Sequence, residues 1–292
     1  MPSCTIAAQP HFLLRTRQRQ DGSRYQAHLG RRSSPAGLHH RRWLDRLRRA
    51  LREDLLVLHY QPIVSIENSE ISHYEALVRL ADQPDGSLLA PGNFIPTAER
   101  YGLVAQLDRL VIAKAIAELA RHQADARHTA VSIAVNLSAL SITDPGMLTH
   151  IRRELARWGV DPRALVLEVT ETAAIREMDR AKAFCHNVRA LGCAVALDDF
   201  GAGFGSFHYL KHLPFDYLKI DGDFIQNLTG SAKDQLVVKA LVALARGMGK
   251  QTIAEYVTSA ETLALLGDYG VDYAQGFQIG APAPLEMFAL AA

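Results

Sequence analysis

Cysteine is almost missing from this chain: Cys4, Cys185 and Cys193 are the three among 292 residues. Three thiols, none in a Cys-x-x-Cys spacing, cannot make a paired disulfide framework. A disulfide-stapled secreted scaffold is therefore excluded, and a reducing, cytoplasmic setting is expected. Long apolar runs are missing too. A membrane-spanning helix needs about 20 apolar residues, and the best candidate, around 235–245, is interrupted by Lys239 and Arg246. No apolar segment of the secretory type opens the chain. Any membrane tether of a full-length protein is expected to lie outside this chain. Lysine is absent from the first 53 residues, where twelve arginines meet three acidic residues; the remainder carries 20 basic against 28 acidic side chains. A basic arm can serve nucleic acid or a membrane surface. Here residues 1–41, with "GRRSSPAG" and no sustained periodicity, read as a linker or junction, and no nucleic-acid polymer is expected as a partner.

What is present from residue 42 onward is alternation. "RRWLDRLRRALRED" (41–54) places Trp43, Leu44, Leu47, Leu51 and Leu55 at helical spacing with arginines opposite, an amphipathic entry helix. Strand-like runs then follow at 56–66, 72–80, 131–138, 164–171, 194–201, 217–221, 252–257 and 273–277. Most are separated by long amphipathic segments, such as those at 103–122 and 234–248. Eight strands with helical crossovers in about 250 residues fit an α/β fold of the (β/α)8 TIM-like barrel type. A doubly wound open sheet is the alternative. Only residues 67–70 separate the first two strands, too few for a crossover helix. That pair must be a hairpin, so the first strand runs antiparallel to the others.

The ends of these strands collect the chemistry. In a parallel barrel the C-terminal ends converge on one face, and here they offer Glu75, Asn136, Glu168, Asp198 with Asp199, Lys219, Glu255 and Gln275. One polar strand end is ordinary capping; seven together are hard to explain as packing. Five carboxylates at one mouth repel one another unless cations neutralise them. An oxygen-only set with no histidine or cysteine indicates hard ions, Mg²⁺ or Mn²⁺, with two ions expected. Asp198 is placed to bridge them, and two metals about 3.5–4 Å apart suit in-line phosphoryl chemistry.

The segment "EALVR" at 75–79 resembles the signature of the EAL-domain cyclic di-GMP phosphodiesterases. "YQPIV", "VNLS", "LEVTE", "DDFGAGFGS", "YLKHLPFDYLKID", "IAEYV" and "YAQGF" resemble the family's other motifs in its order, across about 42–290. The resemblance implies one EAL domain over 42–292 that hydrolyses cyclic di-GMP to linear 5′-pGpG by in-line attack of water on a phosphodiester. It also implies roles for single residues. Glu75, Asn136, Glu168 and Asp198 would hold the first metal, and Asp198, Asp199 and Glu255 the second. Lys219 would touch the attacking water, and Gln61, Arg79, Asn136, Asp221 and Gln275 would meet substrate. Glu171 would anchor the glycine loop after Asp199. Ca²⁺, larger and less acidifying, is expected to allow binding but inhibit turnover. A homodimer through the region around 200–206 and an upstream sensor or diguanylate-cyclase (GGDEF) domain are implied as partners.

Two departures stand out. Where the family reads Glu-Gly-Val-Glu, this chain reads Glu255-Tyr256-Val257-Thr258, and Thr258 with Glu261 suggests a capping box for the next helix. Ala202 and Phe204 stand where Thr and Tyr are common. The alternative function is a catalytically silent cyclic di-GMP receptor. "DFG" at 199–201 lacks the His-Arg-Asp loop and upstream glycine-rich loop of a protein kinase.

Overall fold

The structure is a computed structural model that describes residues 35–82, 85–124, 132–201 and 210–285, with side chains from residue 42. Its eight strands are β1 (Leu56–Ser65), β2 (Ile71–Leu80), β3 (Ser132–Leu137), β4 (Leu165–Thr170), β5 (Ala194–Phe200), β6 (Tyr217–Ile220), β7 (Gln251–Ala254) and β8 (Tyr273–Gln275). They close in sequence order into a barrel. β1 is antiparallel to both neighbours, with Gln61 opposite Glu75 in β2 and Ile63 opposite Gln275 in β8. All other pairs are parallel. The hairpin demanded by the short 67–70 connection is present, and the β1–β8 pairing that closes the barrel excludes the open-sheet alternative.

The helices are α1 (Pro35–Arg52), α2 (Ile95–Arg100), α3 (Val104–Ala124), α4 (Ala139–Thr143), α5 (Met147–Trp158), α6 (Glu171–Arg176), α7 (Met178–Ala190), α8 (Gly222–Ile225), α9 (Ala232–Gly247) and α10 (Ala260–Tyr269). The longer ones bury the apolar stripe read from the sequence. In α3, for example, Leu107, Val111, Ile112, Ala115, Ile116 and Leu119 are all buried. Each leucine, isoleucine or valine among them contributes roughly 1.5–3 kcal/mol on burial.

α1 starts at Pro35, ahead of the apolar periodicity that begins at Trp43. Proline suits a first helical turn, where its missing N–H has no partner to lose. Leu47 and Ala50 bury completely. Beside them, Arg46 and Arg49 both pair with the buried carboxylate of Asp82, just past the end of β2; Arg46 Nε lies 2.7 Å from it.

Inside the barrel, residues two apart on a strand share a face. The bottom layer contains His73, in edge-to-face contact with Tyr217 and Tyr273. Ala134, Val166 and Ala196 form a small apolar cluster in the interior. The next inward positions on these strands are Glu75, Asn136, Glu168, Asp198, Lys219 and Gln275. The apolar floor therefore supports a charged rim.

Candidate active site

Lys219 is completely buried on β6 and binds the rim together. Its Nζ lies 2.9 Å from Glu255 Oε1, 3.0 Å from Glu168 Oε2, 3.0 Å from Asp198 Oδ1 and 3.6 Å from Glu75 Oε2. Burial alone would lower the lysine's pKa, but the four surrounding carboxylates, Asp198 foremost, hold it well above its ordinary value. Lys219 is therefore an ammonium.

Glu75 is the second node. Asn136 Nδ2 donates to its Oε1 at 2.6 Å, and Gln275 Nε2 donates to its Oε2 at 2.6 Å. Gln275 also donates to Gln61 Oε1 at 3.2 Å, and Gln61 in turn donates to the Gly280 carbonyl at 3.1 Å. The reversed β1 thus delivers Gln61 to the same cluster as strands running the other way. Arg79 lies two positions beyond Leu77 on the inward face of β2, half-buried. Burial lowers its pKa and the Glu75 charge raises it, with burial the larger effect.

The paired aspartates required an irregularity. Adjacent residues in a regular strand point to opposite faces. Between Leu197 and Phe200 the β5–β6 register slips, setting the 198–199 pair against Lys219 alone. Asp199 takes a left-handed backbone, φ 54°, which aspartate tolerates better than most residues. With that bulge, oxygens of Asp198, Asp199 and Glu255 all come within 4.8 Å of one another.

Negative charge is in excess here. Burial, with the neighbouring carboxylates, pushes Asp199 up to about 6 and Glu255 up to about 8, although Lys219 acts in the opposite sense on both. Glu168 is also raised, by burial first, despite its ion pair with Lys219. Its Oε1 is buried with no hydrogen-bond partner. An orphaned buried carboxylate oxygen and three mutually close carboxylates fit hard divalent cations.

Glu171 stands outside this cluster. It begins helix α6 instead of a loop, capped by Thr170, and is buried. Its Oε2 accepts from the Gly201 backbone N–H at 2.9 Å. Gly201 has φ 97°, and a Cβ there would meet Phe224 at 2.5 Å, so no larger residue fits this turn. The rest of the glycine loop, including Ala202 and Phe204, lies outside the described residues. Asp221 caps α8, its Oδ1 accepting from Asp223 N at 2.8 Å, and its charge reaches Asp199.

One expectation is corrected. The cap of α10 is Ser259, whose Oγ accepts from Thr262 N at 3.1 Å; Thr258 lies one residue too early to reach the helix's third amide. Sequence reading also missed the conformation of Tyr256, which has φ 55°. A left-handed backbone costs a bulky residue about 1–2 kcal/mol. The family glycine at this position was the available signal, since glycine takes such angles freely.

Fold and site define a closed barrel whose mouth gathers carboxylates around a buried ammonium. The chain belongs to the EAL domain family, which matches residues 44–282. It is 39% identical over 248 residues to the cyclic di-GMP phosphodiesterase PdeB of Shewanella oneidensis, covering 85% of this chain and 29% of that protein. It is also 39% identical over 243 residues to MucR of Pseudomonas aeruginosa, a bifunctional diguanylate cyclase/cyclic di-GMP phosphodiesterase, covering 83% and 35%. The chain therefore spans about a third of the length of these curated relatives. Among solved structures, the PaMucR phosphodiesterase in complex with c-di-GMP superimposes with a TM-score of 0.79 at 38% identity, covering 85% of this chain and 99% of that one. The Xanthomonas citri FimX EAL domain in complex with c-diGMP does so at 0.79 and 32%, covering 86% and 96%.

Proposed function

We propose that this chain hydrolyses one phosphodiester bond of cyclic di-GMP to linear 5′-pGpG. The observation that carries the reading is the convergence of four carboxylates on one ammonium at the barrel mouth, with Asp199 close beside two of them, in a family whose relatives include named cyclic di-GMP phosphodiesterases. Glu75, Asn136, Glu168 and Asp198 would hold one divalent ion, and Asp198, Asp199 and Glu255 a second. When Mg²⁺ or Mn²⁺ is bound, it lowers the pKa of water by several units and neutralises phosphoryl charge.

The protein's own groups do the positioning. Lys219 keeps its proton, so it orients the attacking water and stabilises its developing negative charge instead of acting as a base. Arg79 offers two parallel N–H donors to a phosphate. Gln61, Asn136, Asp221 and Gln275 line the same mouth and meet the nucleotide. Glu171 fixes the start of the glycine loop through Gly201. The P–O bond to the ribose 3′ oxygen breaks, which leaves the phosphate on the 5′ side.

Residues 42–292 act as one EAL unit and 1–41 as its junction. The homodimer contact around 200–206 falls mostly on residues outside those described. Among the described residues no helix is long and apolar enough to cross a membrane.

The test is incubation of the purified chain with cyclic di-GMP and Mg²⁺ or Mn²⁺, with a chelator control and nucleotide separation. Linear pGpG that disappears on chelation is the expected result, with Ca²⁺ giving little product. Tight nucleotide binding without product under either metal makes the chain a silent receptor instead.

A further inference from the structure

Tyr256 departs from its surroundings in three ways. It follows directly on the metal-ligand candidate Glu255, it carries φ 55°, and it is an aromatic residue left 43% exposed at the mouth. A conformation that glycine takes freely is instead occupied by a large ring. Residues held in sparsely populated backbone regions persist where surrounding structure holds them, and they cluster at ligand clamps.

The surrounding structure here is Gly222, the first residue of α8. A Cβ on Gly222 would lie 2.3 Å from Tyr256 Cδ2 and 2.6 Å from Cγ. The near side of the ring therefore rests directly on bare backbone, and its orientation is set by a fitted contact. Gly222 itself follows Asp221, which caps α8. The ring thus stands over the ends of β6 and β7, between the strand that supplies Lys219 and the strand that supplies Glu255.

A fixed, half-exposed aromatic ring beside this acidic rim offers its face to a neutral base. We propose that Tyr256 is a substrate-positioning residue: its ring is a platform on which one guanine base of the bound dinucleotide stacks. The inference rests on the cyclic di-GMP reading above. Every base presents a π-face, so the interaction is with the purine ring and needs no hydrogen bond from the phenol.

The experiment compares wild type, Tyr256→Gly, Tyr256→Asn and Tyr256→Phe. Gly and Asn both accept the left-handed backbone, so they remove the ring without forcing the chain. KM and kcat are measured for cyclic di-GMP with Mn²⁺. Equilibrium binding of cyclic di-GMP is measured by calorimetry with divalent ions chelated, and folding by circular dichroism. Tyr256→Gly and Tyr256→Asn are expected to raise KM and the chelated Kd roughly 5- to 100-fold, the range for loss of one base–aromatic stack, with kcat within about twofold. Tyr256→Phe is expected to keep both constants within about twofold of wild type.

Unchanged KM and Kd in the glycine variant, or a lower KM, would overturn the proposal and make the ring a steric narrowing of the site. A phenylalanine variant as weak as the glycine one would also overturn it, because the hydroxyl and not the ring would be responsible. So would a fall in kcat alone. Absence of product from wild type sinks the catalytic reading but leaves the binding arm to judge Tyr256. Absence of cyclic di-GMP binding by wild type sinks both.

Discussion

Replacing Lys219 by alanine removes an ammonium that pairs with four buried carboxylates. Leaving buried charges without their partner costs on the order of 3–5 kcal/mol. With divalent ions chelated, Lys219→Ala should therefore melt well below wild type, and Mn²⁺ should raise its melting temperature more than it raises that of wild type. Under saturating Mn²⁺ the variant should still bind cyclic di-GMP but lose about 10²- to 10³-fold in kcat, as loss of one preorganised charge donor does. Calorimetric melting and steady-state kinetics check the two halves separately. Equal metal effects on both proteins would show that the lysine and the ions do not share the carboxylates. The strand-end carboxylates and the lysine were legible in the sequence because each interrupts an apolar run at the same place in its strand. The orphaned Glu168 oxygen was not. It depends on how four strands lean toward one another, and no spacing along the chain encodes that.

Elements set which of two neighbouring aspartates does what. The bulge in β5 turns both Asp198 and Asp199 toward the mouth, but they differ: Asp198 is buried and paired with Lys219, while Asp199 is the more open to solvent of the two and left-handed. Asp198→Asn should abolish activity, and extra Mn²⁺ should not restore it. Asp199→Asn keeps a residue that accepts the left-handed backbone, so the bulge should survive and added Mn²⁺ should recover part of the rate. A metal titration of kcat in both variants distinguishes this from a shared role.

At the neighbouring junction, Glu171→Ala should keep the fold, raise the KM for cyclic di-GMP and lower kcat. The Gly201 amide loses a charge-assisted hydrogen bond, worth roughly 1.5–3 kcal/mol. Metal content by atomic absorption should stay at the wild-type value; a lost ion would make Glu171 a ligand. The hairpin of β1 and β2 could be read from a four-residue connection. The bulge could not, because the paired aspartates of "ALDDF" do not say where the register slips, and the slip becomes visible only against β6. The α10 cap was misplaced by one residue for a similar reason. Thr258 and Ser259 are both good caps, and where the helix starts decides between them.

At the scale of the whole molecule, Cys185 and Cys193 report on integrity. Both are buried, and burial pushes each thiol up to about 12. The thiolate is the reactive form, so neither should be alkylated by iodoacetamide at pH 8 in the native protein. Both should label once guanidinium unfolds the barrel, with mass spectrometry of the peptides as the readout. Native labelling at either site would mean that α7 or the start of β5 opens locally, well short of global unfolding.

The reversed first strand has a consequence for how the molecule is mounted. A barrel whose strands all run one way begins at the face opposite its reaction site. Here Leu56, the first residue of β1, is paired with Leu80, the last residue of β2. The chain thus enters the barrel at the mouth. α1 arrives on that side and is latched to Asp82 by Arg46 and Arg49, three residues along from Arg79. Whatever pulls or twists the chain ahead of Pro35 is therefore geared to the rim of the site, not to its foundation.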